Sequence, residues 1–120
     1  MHWAEEYVGL AISDCAALCE RVLSERFGRV VALPSERGGP FADTALVDQH
    51  RDDLAERTDA PIDGDGVLMK SRGRLAHIGL YVAIGGVPHV LHAMPVGVCL
   101  HKLRELPKLH MHVEGFYRWR

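Results

Sequence analysis

The stretch His77-Ile78-Gly79-Leu80-Tyr81-Val82-Ala83-Ile84-Gly85-Gly86-Val87-Pro88-His89-Val90-Leu91-His92-Ala93 decides how this chain is read. Residues 76–83 alternate in character. Ile78, Leu80 and Val82 fall on one face, and His77, Gly79 and Tyr81 on the other, as side chains of a pleated strand do. Gly85-Gly86 is a hairpin signal, because both central residues of a tight two-residue turn need positive φ. With those glycines at the turn, Leu80 pairs with Leu91, Gly79 with His92 and Val82 with His89. His92 then shares a face with His77, one diagonal step away. His89 falls on the opposite face. A turn of odd length would exchange the roles of His92 and His89.

The segments around this hairpin extend the pattern. Residues 96–103 and 111–117 read as further strands, and a strand starts at 67–69 between the turns Gly64-Asp65-Gly66 and Arg72-Gly73-Arg74. Before Pro61 the period changes. Cys15, Leu18, Cys19, Val22, Leu23 and Phe27 recur at three and four residues, which predicts a helix over 15–27. Ser13 and Asp14 are good caps before it and Gly28 a natural stop after it. Residues 29–33 read as a short extended piece and 34–40 as a loop. Residues 43–57 predict a polar surface helix, capped by Asp43 or Thr44 and anchored only by Leu46, Val47 and Leu54. Helices first and antiparallel strands after them indicate an α+β fold rather than alternating βαβ units. No repeat or linker divides the chain, so 1–120 reads as one domain.

Bulk properties narrow the function classes. With 120 residues, 48% of them hydrophobic, the chain can bury a single core. A formal charge of −2 and the lack of any basic block argue against a nucleic-acid partner. No apolar run is long enough to cross a bilayer, so membrane insertion is not expected. Met1-His2-Trp3-Ala4-Glu5-Glu6 has neither the basic start nor the apolar core of a signal peptide; the expected place of synthesis and residence is the cytoplasm, or a route out that needs no signal. Three cysteines, Cys15, Cys19 and Cys99, argue against a disulfide framework. Eight histidines raise the question of a metal, but no H-E-x-x-H and no carboxylate at ligand spacing accompanies them. Neither a metal nor a cofactor is expected.

The chemistry concentrates on Cys15, His77 and His92. A cysteine in the first helical turn meets unpaired backbone N–H groups and the positive end of the helix dipole. Both favour thiolate over thiol, and the same N–H groups can donate to an oxyanion. A thiol hydrolase needs such a nucleophile, a histidine to take its proton and a polar group to orient that histidine. Cys19 lies one turn deeper on the apolar face, where a structural role is expected. Taken alone, Cys15 also reads as a buried structural thiol, and the histidines as strand surface.

The segments Asp14-Cys15 with Leu18, Pro61-Ile62-Asp63-Gly64-Asp65-Gly66-Val67-Leu68, His77-Ile78-Gly79-Leu80-Tyr81, Val90-Leu91-His92-Ala93 with Gly97-Val98, and Glu114-Gly115-Phe116-Tyr117-Arg118 follow in a familiar order. In them the chain resembles the NlpC-type cell-wall cysteine peptidases, in the branch found in tailed-phage tail-assembly proteins. The resemblance implies a papain-like fold with the nucleophile helix packed on an antiparallel sheet. It implies hydrolysis of amide bonds in peptidoglycan stem peptides, typically beside a D-amino acid. It also implies a place in a virion tail among other phage tail proteins. Carried over, Cys15 is the nucleophile, His77 the general base and acid, and His92 the orienting residue; Tyr7 and Asp14 stand at the substrate site. The chain departs from the family at Ala16-Ala17, where a small or aromatic residue and then glycine are usual, and in the short Gly9-Leu10-Ala11-Ile12-Ser13 before the cap. The alternative is a structural tail component that keeps the fold with little or no activity.

Overall fold

The helix forms where its caps lie. In a computed structural model, which describes residues 2–33, 54–71 and 73–120, α1 spans Cys15–Phe27. The Asp14 carboxylate accepts from the backbone N–H groups of Ala16, at 2.9 Å, and Ala17, at 3.3 Å, satisfying donors that a first turn otherwise leaves open. Gly28 ends the helix at φ 62°, and the N–H groups of Gly28 and Arg29 both return to the Leu23 carbonyl. Cys15, Leu18, Cys19, Val22 and Leu23 are buried along one side.

The strands are β1 (Ala55–Thr58), β2 (Gly66–Ser71), β3 (Arg74–Ile84), β4 (Val87–Met94), β5 (Gly97–Lys102) and β6 (Met111–Trp119). They form one antiparallel sheet in the order β1-β6-β2-β3-β4-β5. Two short 3₁₀ helices, Trp3–Tyr7 and Leu103–Leu109, complete the described elements. Gly85 and Gly86 take φ of 58° and 79°, which makes the β3–β4 connection a two-residue turn of the primed kind. The register follows: Gly79 faces His92, Leu80 faces Leu91 and Val82 faces His89. The described residues therefore make an α+β fold with the helix ahead of the sheet.

The two faces of the sheet have different covers. α1 packs on β3 and β4, and its buried side joins Leu68, Ile78, Leu80, Val82, Leu91 and Ala93 in the larger core. On the other face Val67, Met69, Tyr81 and Val90 join Leu106 and Met111. Leu106 comes from the second 3₁₀ helix, which lies against β4, β5 and β6. Among the described residues no helix is long and apolar enough to cross a membrane.

Several expected bounds change. Residues 29–33, expected as a short extended piece, join no sheet, and the Leu33 N–H reaches the Glu20 carboxylate at 2.9 Å. Most of the helix expected over 43–57 lies outside the described residues. Leu54 is helical, but Ala55, Glu56 and Arg57 belong to β1. Their partner decides this: β6 runs on to Trp119 and pairs Ala55 with Trp119 and Arg57 with Tyr117. Arg57 also holds the Glu114 carboxylate at 2.9 Å. Such pairing overrides a weak local preference for helix. The strand expected over 96–103 stops at Lys102, where the second 3₁₀ helix starts. Gly66, expected in a turn, already pairs with Leu80. The turn is at Gly64, with φ 91°, whose carbonyl accepts from the Trp119 indole at 2.7 Å.

Candidate active site

Cys15 is the first residue of α1 and is fully buried. It belongs to the core beneath the helix, with Ile78, Leu80, Leu91 and Ala93. Cys19 is buried one turn on, and burial is the main cause pushing its thiol well above the ordinary range. The three cysteines form no disulfide.

The histidines meet on the sheet. Nε2 of His77 lies 2.8 Å from Nδ1 of His92, with the rings edge to face and 4.9 Å between centroids. Gly79 makes this possible. It stands between His77 and Tyr81 on the strand and directly opposite His92. A Cβ on Gly79 would lie 2.6 Å from Val90 Cγ2 and 3.0 Å from His92 Cβ, so only glycine leaves the diagonal open. The contact does not end there. Nε2 of His92 lies 2.8 Å from Nδ1 of His101 on β5, again edge to face. Three imidazoles thus run across β3, β4 and β5.

Both inner rings are sheltered, His92 completely and His77 to 7% exposure. Burial pushes His77 down to about 4. Burial, then the neighbouring His77 and His101, pushes His92 down to about 3. Both are neutral at pH 7. Each neutral ring carries one N–H and one lone pair, so His77 can offer a lone pair at Nδ1 while its Nε2–H is held by His92. His92 has both nitrogens engaged by its neighbours. The set is therefore a chain of rings rather than three ligands aimed at one point, and among the described residues no group of three His, Cys, Asp or Glu side chains is disposed around a metal position.

The faces are sorted by alternation. His77 and His92 alternate with Ile78, Leu91 and Ala93 along their strands, which turns the imidazoles to the side of Tyr81 and Val90. The structure thus brings His77 and His92 together and adds His101, while Cys15 stands in the core of the other face. Cys99 pairs directly with His92, but its thiol donates to the Gly97 carbonyl at 3.6 Å. His89 engages the Val87 carbonyl of its own strand at 2.8 Å. Asp14 caps α1, and Tyr7 serves its other end: the Tyr7 hydroxyl donates to Glu25 at 2.7 Å and accepts from Arg26. Burial, then Glu25, pushes that hydroxyl up to about 12. Glu25 lies ten residues beyond Cys15, about 15 Å along a helix axis. A groove of about 220 Å³ lined by Phe27, Ile62, Asp63 and Arg118 also lies at that end of the helix.

His101 escaped the sequence reading. The signal was present in the β4–β5 register, which pairs Cys99 with His92 and so sets His101 one diagonal step away. Compared with known proteins, the chain matches no family model, no curated protein and no solved structure.

Proposed function

We propose that this protein is a cysteine peptidase with a papain-like, NlpC-type fold that hydrolyses amide bonds in peptidoglycan stem peptides. It would be made in the cytoplasm and carried in a phage tail among other tail proteins. The observation that supports this reading best is the 2.8 Å contact from His77 Nε2 to His92 Nδ1. A base needs a partner that holds one nitrogen so that the other presents its lone pair, and His92 is so placed. Cys15 opens a capped helix that packs on the same two strands, on the face opposite the imidazoles.

This mechanism requires the Cys15 thiol to come within reach of His77 Nδ1, which then takes its proton as sulfur attacks the amide carbonyl. First-turn N–H groups of α1 offset charge on the oxyanion. His77 then gives that proton to the departing amine, and water attacks the thioester to release the acid and restore the thiol. His92 orients the ring throughout.

A different observation favours a second reading. Cys15 is fully buried and belongs to the core cluster on the opposite sheet face, which suits a tail component that keeps the fold without turnover. Digestion of purified peptidoglycan by wild type and Cys15→Ala, followed by mass analysis, separates the two. The peptidase reading expects stem-peptide fragments from wild type alone. Equal inertness of both proteins on several peptidoglycan types, with the fold intact, selects the structural reading.

A further inference from the structure

We propose that His101 is a positioning residue that closes a three-imidazole relay, fixing the tautomer of His92 and His77 and carrying positive charge from the buried rings to the sheet edge. What the relay serves rests on the peptidase reading; the relay itself rests on the two 2.8 Å nitrogen contacts and on the burial of the rings.

Hydrogen-bond bookkeeping sets the tautomers. A neutral imidazole cannot donate from both nitrogens. If His77 donates from Nε2, His92 accepts at Nδ1, carries its own proton on Nε2 and donates it to His101 Nδ1. All three rings are then Nε2–H. Reversal makes all three Nδ1–H. Any mixture sets two lone pairs or two N–H groups face to face at 2.8 Å, at a buried position where an unmade bond is expensive. Only the first arrangement leaves His77 Nδ1 free to act as a base. His101 holds that arrangement by accepting from His92.

The same chain moves charge. When His77 Nδ1 gains a proton, its Nε2 proton passes to His92 Nδ1, and the Nε2 proton of His92 passes to His101 Nδ1. Each N–H bond formed matches one broken, and the positive charge leaves the buried rings for His101, which is half-exposed. The groups around this end differ in sign. Glu105 of the second 3₁₀ helix is held below the usual carboxylate range first by the Lys102 backbone N–H and then by His101, Lys102 and Lys108, so its anion is available to the charged ring. Lys102 and Lys108 oppose that charge. Cys99 stands beside His92, its thiol held by Gly97 and pushed up by burial. At the inner end, β2 presents Met69 opposite His77.

The test is long-range ¹H–¹⁵N spectroscopy of the histidine rings in wild type, His101→Phe and His101→Gln, followed from neutral into acid. In wild type the three rings should show one shared tautomer at neutral pH. His101→Phe should mix the tautomers of His77 and His92 and move the titration of His77 to lower pH, because its proton then has no ring beyond His92 to pass to. His101→Gln keeps an acceptor for His92 but cannot carry a proton, so it should restore the tautomer and leave the titration displaced. Unchanged ring shifts and titration in folded His101→Phe would overturn the proposal; if that variant does not fold, unchanged titration in His101→Gln does so. On peptidoglycan, His101→Phe should lose about tenfold in kcat at unchanged KM. Wild type inert on peptidoglycan would sink the peptidase reading, and the spectra would still decide the relay.

Discussion

The two faces of the sheet are built from alternate residues of the same strands, yet they are stabilised differently. Ile78, Leu80, Val82, Leu91 and Ala93 bury apolar surface against α1, which needs only volume and shape. His77 and His92 occupy positions in between, equally sheltered, where each ring nitrogen given a partner depends on a neighbour's geometry. Among the described residues no buried side-chain nitrogen or oxygen lacks a hydrogen-bond partner. A row of buried imidazoles stabilises less than leucines would, because polar groups gain little net from burial even when bonded.

Substitutions can break that contrast. The largest effect is expected on the apolar face. Leu80→Ala removes a fully buried side chain and should cost about 2–5 kcal/mol in urea unfolding. Polar replacement there should be worse.

Acid should weaken the histidine face next. The unfolded chain takes up protons near the ordinary histidine value of 6.5, whereas folded His77 does so only near 4 and His92 near 3. Between those values the unfolded state binds more protons, so stability is complete above about 6.5 and falls as the pH drops through the window. For His77 alone the loss is on the order of 3 kcal/mol. His77→Phe should flatten this acid limb, and a limb as steep as that of wild type would remove His77 as a cause of it.

Gly79→Ala attacks the seam between the faces. The added Cβ would meet Val90 Cγ2 at 2.6 Å and the Leu91 carbonyl at 2.8 Å, and overpacking of this kind costs about 1–3 kcal/mol. It should also separate His77 from His92. Smallest of all, His89→Ala should change stability by less than about 0.5 kcal/mol, because His89 points away from the relay. An activity loss in His89→Ala with none in His92→Ala would reverse the roles assigned to them.

What could be read from the sequence was local. Both bounds of α1 follow from Asp14 and Gly28, whose effects reach only a few residues. The His77–His92 diagonal follows from Gly85-Gly86, because a tight turn passes its register to both strands. The misses depend on distant partners. β1 exists because β6 is there to pair with it, and no pattern within Ala55-Glu56-Arg57 announces that. The Tyr7 hydroxyl meets Glu25 and Arg26 on the last turns of α1, a contact that no local spacing announces. His101 required the register of a third strand, across the turn after Met94, which carries no glycine pair like that of β3–β4. The 3₁₀ helices are too short to show a period.

The central claim is that Cys15, from one face, works with the imidazoles of the other. Timed alkylation of the folded protein by iodoacetamide at neutral pH, with each thiol resolved by peptide mass mapping, tests it most directly. The account expects Cys15 to label well ahead of the buried Cys19 and the half-buried Cys99, and to slow markedly in His77→Ala. Labelling of Cys15 no faster than Cys19, or a rate indifferent to His77→Ala, would contradict it and leave Cys15 as a core thiol.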